Sequence, residues 1–315
     1  MGVSTTTAEV IGAIDAGSNG IRLAIARLND DGIPREIETI REAVRLGSDA
    51  FDLGYLREPT IEAAVVAFER FAVRIKHHGV RHVRAVATSA ARESSNTRTL
   101  TSRIRKATGI RLEVIDGLEE AQLVFGGVAG AIDLGGRSAL LIDMGGGSVE
   151  VTVARDGLAL GCETLGLGAV RILGRLRESG LTEASAVQII ETFRGAAANL
   201  VRAELKDAKI DVCVGTGGNL ECLGRLRGPL LGKVKLGKVK ASDLDTIIDK
   251  LLAMTPAVRI AKLGLRPDRA DVIAIAALVL RMILEETKVS KVLTPGVGLT
   301  QGLLRQIAGR ILDPL

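Results

Sequence analysis

Two stretches of the chain close an apolar run with an aspartate and then give up their side chains. In VIGAIDAGSNGIRLAIARL, Asp15 is followed by Gly17, Ser18, Asn19 and Gly20; in LLIDMGGGSVEVTVA, Asp143 is followed by Gly145, Gly146, Gly147 and Ser148, with Glu150 two residues on. Glycines let a chain turn tightly and let backbone N–H groups approach an anion with no Cβ in the way, and phosphate oxygens are the natural partners of such amides. A single loop of this kind could be a plain hairpin turn. Two of them, 128 positions apart, predict a pair that grips successive phosphates across a cleft while Asp15 and Asp143 hold a divalent cation. Mg²⁺ suits that arrangement, because it takes one or two carboxylates and completes its shell with phosphate and water. A second acidic pair, Glu119 and Glu120 in GLEEAQLVFGGV, opens an apolar helix. By residue type alone this pair complements the helix dipole. Partial desolvation there would also raise the proton affinity of Glu120 into a range useful for a general base.

The elements that must position these groups alternate in type. VIGAIDAG and IRLAIARL predict a pair of strands extended by REIETIREAVRL. After Pro59, TIEAAVVAFERFAVRIKHHG predicts a helix ending at Gly79. The strand HVRAVATSA, a helix from about Asn96 to Thr108, the strand IRLEVID and the helix LEEAQLVFGGVAGAI follow. From Ser138 the order begins again with strand, Gly loop, strand and a third strand at LALGCETLG. Then come a helical region at Ala184–Glu204, the strand KIDVCVGTGGN, further helices and a last strand near KVLTPGVG. The two halves begin alike, which predicts two related domains.

Composition excludes several classes. With 315 residues, 47% of them hydrophobic, the chain can bury a large core and suggests two domains. Charged residues interrupt each apolar run before membrane-spanning length, and MGVSTTTAEV lacks the order of a signal peptide, so the expected location is the cytoplasm with no membrane partner. Cys162, Cys213 and Cys222 show no disulfide or zinc spacing. His77, His78 and His82 suit a solvated basic turn better than a metal site. The net charge of +5 lies wholly in the second part: residues 1–126 carry 17 basic and 17 acidic side chains, residues 127–315 carry 25 and 20. Arg225, Arg227, Lys233, Lys235, Lys238 and Lys240 in RLRGPLLGKVKLGKVKAS contain no intervening acid. They form either a polyanion-binding patch or a lysine-blunted sheet edge. One tyrosine, five phenylalanines and no tryptophan leave few platforms for stacked bases, which argues against nucleic acid.

In this order, AIDAGSNGIRLAIA, VRAVATSAARESSN, VIDGLEEAQLVFGGV, LLIDMGGGSVEVTV, LGLGAVRI, VGTGGNLECL, RADVI and GLTQGLL resemble the exopolyphosphatase and guanosine pentaphosphate phosphatase (Ppx/GppA) family, over about residues 10 to 305. The resemblance implies an α/β fold of two actin-like, ribonuclease-H-like domains with the active site in the cleft between them, in the short branch without extra C-terminal domains. The expected boundaries are 1–126 and 127–299, with the C-terminal helix, about 300–312, packed back on the first domain. It also implies roles. Asp15, Gly17, Ser18, Asn19 and Gly20 match the first phosphate loop, with Arg22 expected as a further phosphate contact; Asp143, Gly145, Gly146, Gly147 and Ser148 match the second. Glu120 matches the catalytic glutamate that polarises water, with Glu119 facing elsewhere. Asp143 and Glu150 match the acids associated with metal and water, and Asp15 is expected to join them as a metal ligand. Arg92 and Asn96 match a phosphate-contacting segment. Gly215, Thr216, Gly217 and Gly218 match the loop that binds nucleotide in the wider superfamily. Gly20 stands where many members carry serine, and Ser48 and Asp49 replace the usual pattern of the RLGEG region.

The expected activity is therefore hydrolysis of terminal phosphate from inorganic polyphosphate with Mg²⁺ or Mn²⁺. The alternatives are guanosine pentaphosphate hydrolysis and a non-catalytic nucleotide-binding regulator; a sugar kinase fits GLEEAQLVF poorly. The resemblance further suggests a homodimer.

Overall fold

The computed structural model describes residues 9–206, 208–233 and 237–313. In the first half, strands β1 (Val10–Gly17), β2 (Gly20–Leu28) and β3 (Pro34–Glu42) form an antiparallel meander. Helices α1 (Leu46–Leu53) and α2 (Glu58–His77) follow, then β4 (His82–Ala87), α3 (Ser89–Glu93), α4 (Thr97–Thr108), β5 (Leu112–Val114) and α5 (Gly117–Ala129). The sheet order is β3-β2-β1-β4-β5, with β4 and β5 parallel to β1.

The second half repeats the plan. Strands β6 (Ser138–Met144), β7 (Val149–Arg155) and β8 (Leu158–Leu165) make the meander. Then come α6 (Ala169–Glu178), α7 (Ala186–Glu191), α8 (Ala196–Leu205), β9 (Val212–Thr216), α9 (Gly218–Leu231), β10 (Lys238–Lys240) and α10 (Ala241–Leu252). Helices α11 (Pro256–Leu263), α12 (Pro267–Ala270) and α13 (Ile273–Thr287), strand β11 (Lys291–Leu293) and helix α14 (Leu299–Leu312) complete it. The order β10-β11-β9-β6-β7-β8 is that of the first sheet with one strand added at an edge.

The central strands β1 and β6 are buried almost throughout, because helices cover both faces of each sheet. Phe68, Phe71, Leu100 and Ile104 of α2 and α4 cover one face of the first sheet against Ile14, Leu23 and Ile25. On the other face, α5 and α14 lie between the two sheets: Leu123, Val124, Leu303 and Ile307 pack with Ile11 and Ala13 of β1 and with Ala139 and Leu141 of β6. The outer face of the second sheet is closed by α13, buried from Ile273 through Leu280.

The helical region expected over Ala184–Glu204 forms two helices, α7 and α8, which part where Gly195 takes φ 94°. Helix α1 falls in VRLGSDAFDLGYL, where no helix pattern stands out. Tertiary contacts hold it: Leu46 and Ala50 are buried, and the buried Asp49 carboxylate accepts two hydrogen bonds from the Arg57 guanidinium. The histidine cluster is paired with acids, His78 with Glu38 at 2.6 Å and His82 with Glu9 at 3.6 Å. The cysteines are unbonded; Cys213 and Cys222 are buried and Cys162 is half-buried.

The contact between α5 and α14 is closer than side chains permit. A Cβ on Gly302 would stand 1.8 Å from the Leu123 carbonyl oxygen, and one on Gly127 would stand 2.7 Å from that of Gly298. Gly302→Ala should therefore force the helices apart and destabilise the protein by about 3 kcal/mol. Denaturant unfolding checks this; stability within about 0.5 kcal/mol of the parent would mean that the helices part freely.

Candidate active site

The two hairpins place equivalent residues at equivalent points. Asp15 on β1 stands opposite Arg22 on β2, and Asp143 on β6 stands opposite Glu150 on β7. Both aspartates sit near the end of a central strand and face a cleft of about 860 Å³, open to solvent, between the two halves. Asp15, Gly17, Ser18, Asn19, Gly20 and Arg22 line it from one side; Asp143, Gly145, Gly146, Ser148, Gly217 and Gly218 line it from the other.

The loops touch, which explains part of their glycine content. A Cβ on Gly146 would lie 3.0 Å from Cβ of Ser18, and one on Gly147 would lie 2.3 Å from both Phe51 and the Ser89 hydroxyl. The Gly146 and Gly147 carbonyls receive the start of α6 through Val170 N and Gly168 N, and Arg171 Nε donates to Gly147 O at 2.7 Å. Gly147 thus works as a packing and acceptor position and does not line the cleft. Gly217, at φ 85°, occupies a left-handed conformation where a Cβ would strike the Met144 carbonyl at 2.5 Å.

Glu120, Asp143 and Glu150 converge, each offering a carboxylate oxygen within 4.8 Å of the others. Glu120 sits in the first turn of α5, where Asp116 caps the helix by accepting from Glu119 N at 2.8 Å. Glu119 turns away to pair with Arg84. Glu120 Oε2 accepts from Arg92 Nη1 at 3.0 Å, and the same nitrogen donates to Ile115 O at 2.8 Å. Thr216 Oγ1 donates to Asp143 Oδ1 at 2.6 Å. Burial raises all three carboxyl pKa values, most strongly that of Glu120, which also faces the charges of Glu150 and Asp143. Burial likewise lifts Asp15 to about 6, against the pull of Arg22.

No hydrogen bond of ordinary geometry reaches either buried oxygen of Glu150, although the nearby Ser148 hydroxyl pulls its pKa down a little, and the residue is only 2% exposed. An unpartnered carboxylate in that position is strongly disfavoured unless a proton or a cation satisfies it. An all-oxygen donor set of three acids fits a hard divalent cation.

Several expected site residues stand elsewhere. Asp15 lies outside the close acidic triad, and Glu120 occupies the third place. Asn96 is committed to the backbone of Leu56, accepting from its N at 2.9 Å and donating to its O at 2.8 Å, so it contacts no cleft group. Arg92 is spent on Glu120 rather than exposed to phosphate. Gly215 and Thr216 lie beneath the cleft, Gly215 against Leu220 and Val292. Arg227 is buried and paired with Asp243 at 2.7 Å, and Lys233 pairs with the same carboxylate, so the acid missing from the quoted basic run is supplied by the next helix. Lys238 and Lys240 belong to edge strand β10, and Lys235 falls outside the described residues. Among the described residues of that group, Arg225 lines a pocket beside the cleft.

Three arginines were not singled out by residue pattern. Arg269 lines the cleft, with burial lowering its guanidinium to about 10. Arg41 and Arg45 join the halves: Arg41 pairs with Asp268, and Arg45 donates to Asp271 Oδ2 at 2.7 Å, to Asp268 O at 2.8 Å and to Asn19 Oδ1 at 2.8 Å. Asn19 Nδ2 donates to Asp268 O at 2.8 Å, so this loop residue also bridges the cleft. RADVI, which contains Arg269 and Asp271, was the available signal.

Two duplicated sheets of this topology, with facing Gly loops and an acidic cluster between them, define an actin-like phosphate-handling protein. The chain belongs to the Ppx/GppA phosphatase family, which it matches over residues 24–310. It is 29% identical over 293 residues to exopolyphosphatase 2 of Mycobacterium tuberculosis, covering 88% of this chain and 91% of that one. It is 27% identical over 221 residues to a guanosine-5'-triphosphate,3'-diphosphate pyrophosphatase of Aliivibrio fischeri, covering 70% of this chain and 44% of that longer protein. The crystal structure of an exopolyphosphatase from Cytophaga hutchinsonii superposes with a TM-score of 0.85 at 26% identity, covering 95% of this chain and 98% of that one.

A carboxyl whose pKa is raised by folding contributes stability below its unfolded pKa and loses it as pH rises through the folded value. Glu150→Gln should therefore raise the melting temperature of the metal-free protein at pH 8 by about 2–6 °C, with a smaller gain at pH 5. It should also diminish the stabilisation that added Mg²⁺ gives the parent. Thermal scans at both pH values check this; a lower melting temperature at pH 8 would show that the carboxylate is satisfied as it stands.

Proposed function

We propose that this protein releases orthophosphate from the end of inorganic polyphosphate. The observation that carries this is the buried triad of Glu120, Asp143 and Glu150 placed beside two facing phosphate loops. Asp143 and Glu150 would hold Mg²⁺ or Mn²⁺, which when bound supplies charge neutralisation for the phosphate oxygens. Phosphoanhydride hydrolysis needs an in-line water, neutralised charge and little covalent help. Amides of the two loops, with Arg22 and Arg269, face the terminal phosphates from opposite sides. Arg92 fixes Oε2 of Glu120, leaving Oε1 to take a proton from the attacking water. Asp15 stands opposite Arg22 at the entry to the first loop. The same relatives that bear the exopolyphosphatase name cover nearly the full chain, which supports polyphosphate as the substrate.

Guanosine pentaphosphate is the second reading, favoured by the Aliivibrio fischeri relative. Among the described residues no aromatic side chain lines the cleft to stack on guanine, which weighs toward polyphosphate. A domain division at 1–126 with the C-terminal helix, and 127–299, is supported by the packing of α14 on α5 and β1. The cytoplasm and a homodimer complete the proposal. No helix among the described residues is long and apolar enough to cross a membrane.

Orthophosphate release with Mg²⁺ from long-chain polyphosphate, guanosine pentaphosphate and ATP tests the assignment. Glu120→Gln should lower turnover by about 10² or more with the fold retained. Release only from the guanosine nucleotide would promote the second reading. Equal rates in parent and variant would remove Glu120 from catalysis.

A further inference from the structure

The cleft does not end at Arg269. A second pocket opens from it, lined by Arg22, Arg225, Arg266 and Arg269 with a single acid, Glu221. Arg22, Gly218, Glu221 and Arg269 line both spaces, so the two are continuous. Helix α9 starts under the loop at Gly217 and carries Glu221 and Arg225 away from the triad in successive turns. Opposite it, the segment between α11 and α12 brings Arg266, whose side chain is 54% exposed and which touches Asp268 at 3.2 Å. Arg225 is exposed and has no carboxylate partner among the described residues. Leu226, Pro229 and Leu265 form an apolar floor, and no aromatic ring is present among the lining residues.

Asp268 beside Arg266 and Asp15 opposite Arg22 offset part of this charge, but with Glu221 as the one acid in the lining the guanidinium excess still raises the local concentration of anions, and a guanidinium binds phosphate oxygens in pairs. A polymer whose last phosphate lies at the triad must leave the cleft on some side. The Arg41–Asp268 and Arg45–Asp271 pairs bridge the two halves beside the first loop, whereas the second pocket continues the cleft with a row of positive charge. The geometry points to this pocket as the distal subsite of the cleft, with Arg225 and Arg266 binding inner phosphates of a polyphosphate chain while its end is cleaved. This rests on the polyphosphate assignment and deepens it. It also explains a basic run that the fold otherwise uses for structure: Arg227 and Lys233 are consumed by Asp243, and Arg225, two residues earlier, faces the polymer.

The consequence is preference by chain length. A short chain such as tripolyphosphate is held by the loops alone; a long one also reaches Arg225 and Arg266. Arg225→Glu and the double variant Arg225→Ala/Arg266→Ala should each raise KM for long-chain polyphosphate about tenfold or more, since charge-assisted contacts of this kind are worth about that factor each. The loss should be confined to long chains, with kcat for them and kinetics on tripolyphosphate within about twofold of the parent. It should shrink as salt is raised, because the interaction is one of exposed charges. An unchanged KM for long chains, or an equal loss on tripolyphosphate, would overturn the subsite. Calorimetric titration of long-chain polyphosphate into Glu120→Gln, with and without Arg225→Glu, separates this from the activity assignment. If the parent fails to hydrolyse polyphosphate but Glu120→Gln binds it in an Arg225-dependent manner, the pocket stands and the assigned reaction falls. If the parent hydrolyses it and Arg225→Glu leaves binding unaltered, the reaction stands and the pocket falls.

Discussion

Three carboxylates crowded within 4.8 Å of one another, two of them almost wholly shielded from water, repel one another and lack the solvation that would stabilise their charge. No short segment would adopt that arrangement on its own. Here it is enforced by two elements with no freedom to yield. The β6–β7 hairpin presents Asp143 and Glu150 side by side through its register. Helix α5, clamped between the sheets by a glycine-to-backbone contact with α14, brings Glu120 to meet them. The packing of hydrophobic layers holds the acids together, and their raised pKa values record the cost of charging them there.

The duplication gives this asymmetry its meaning. At the point where the second hairpin sets Glu150 opposite its aspartate, the first sets Arg22 opposite Asp15. One half is therefore tempered by a cation of its own, and its loop can face phosphate without an added charge. The second hairpin sets no basic residue opposite its aspartate, and the cation nearest the acids, Arg92, is lent by the first half and bonded to Glu120. A single supersecondary unit, used twice, serves two electrostatic purposes through one exchanged residue.

Charge also joins the halves. Arg41 and Arg45 reach from the first half to Asp268 and Asp271, and Asn19 shares in the same contacts, so the loop expected to hold phosphate also senses the position of the opposite wall. On the other flank, Arg171 donates to Gly147, pairs with Glu93 and lies 4.1 Å over the Phe51 ring. Partly buried pairs of this kind contribute more to geometry than to net stability, because desolvation offsets much of their attraction. They tie the two halves together on both flanks of the cleft.

The repeated Asp-Gly loops and the alternation of strands and helices were legible along the chain, because hairpin turns, strand burial and helix starts are governed by neighbours in sequence; Glu120 and Glu150 drew their roles from the family resemblance, since local pattern alone reads Glu119 and Glu120 as a pair that complements the helix dipole. What lay beyond reach depended on partners more than two hundred residues away, as with Arg45 and Asp271, or on which of two acceptors a side chain meets. Arg92 and Asn96 carry the right chemistry for phosphate, yet one is drawn to Glu120 and the other to the Leu56 backbone. The basic run around Arg227 looked unopposed until helix α10 set Asp243 beneath it. Sequence by itself determined the elements, the duplication and the kinds of group available. Tertiary structure alone decided which acids share one buried site and which arginines remain open to a ligand, because burial and long-range charge pairing are properties of the packed chain and not of any segment within it.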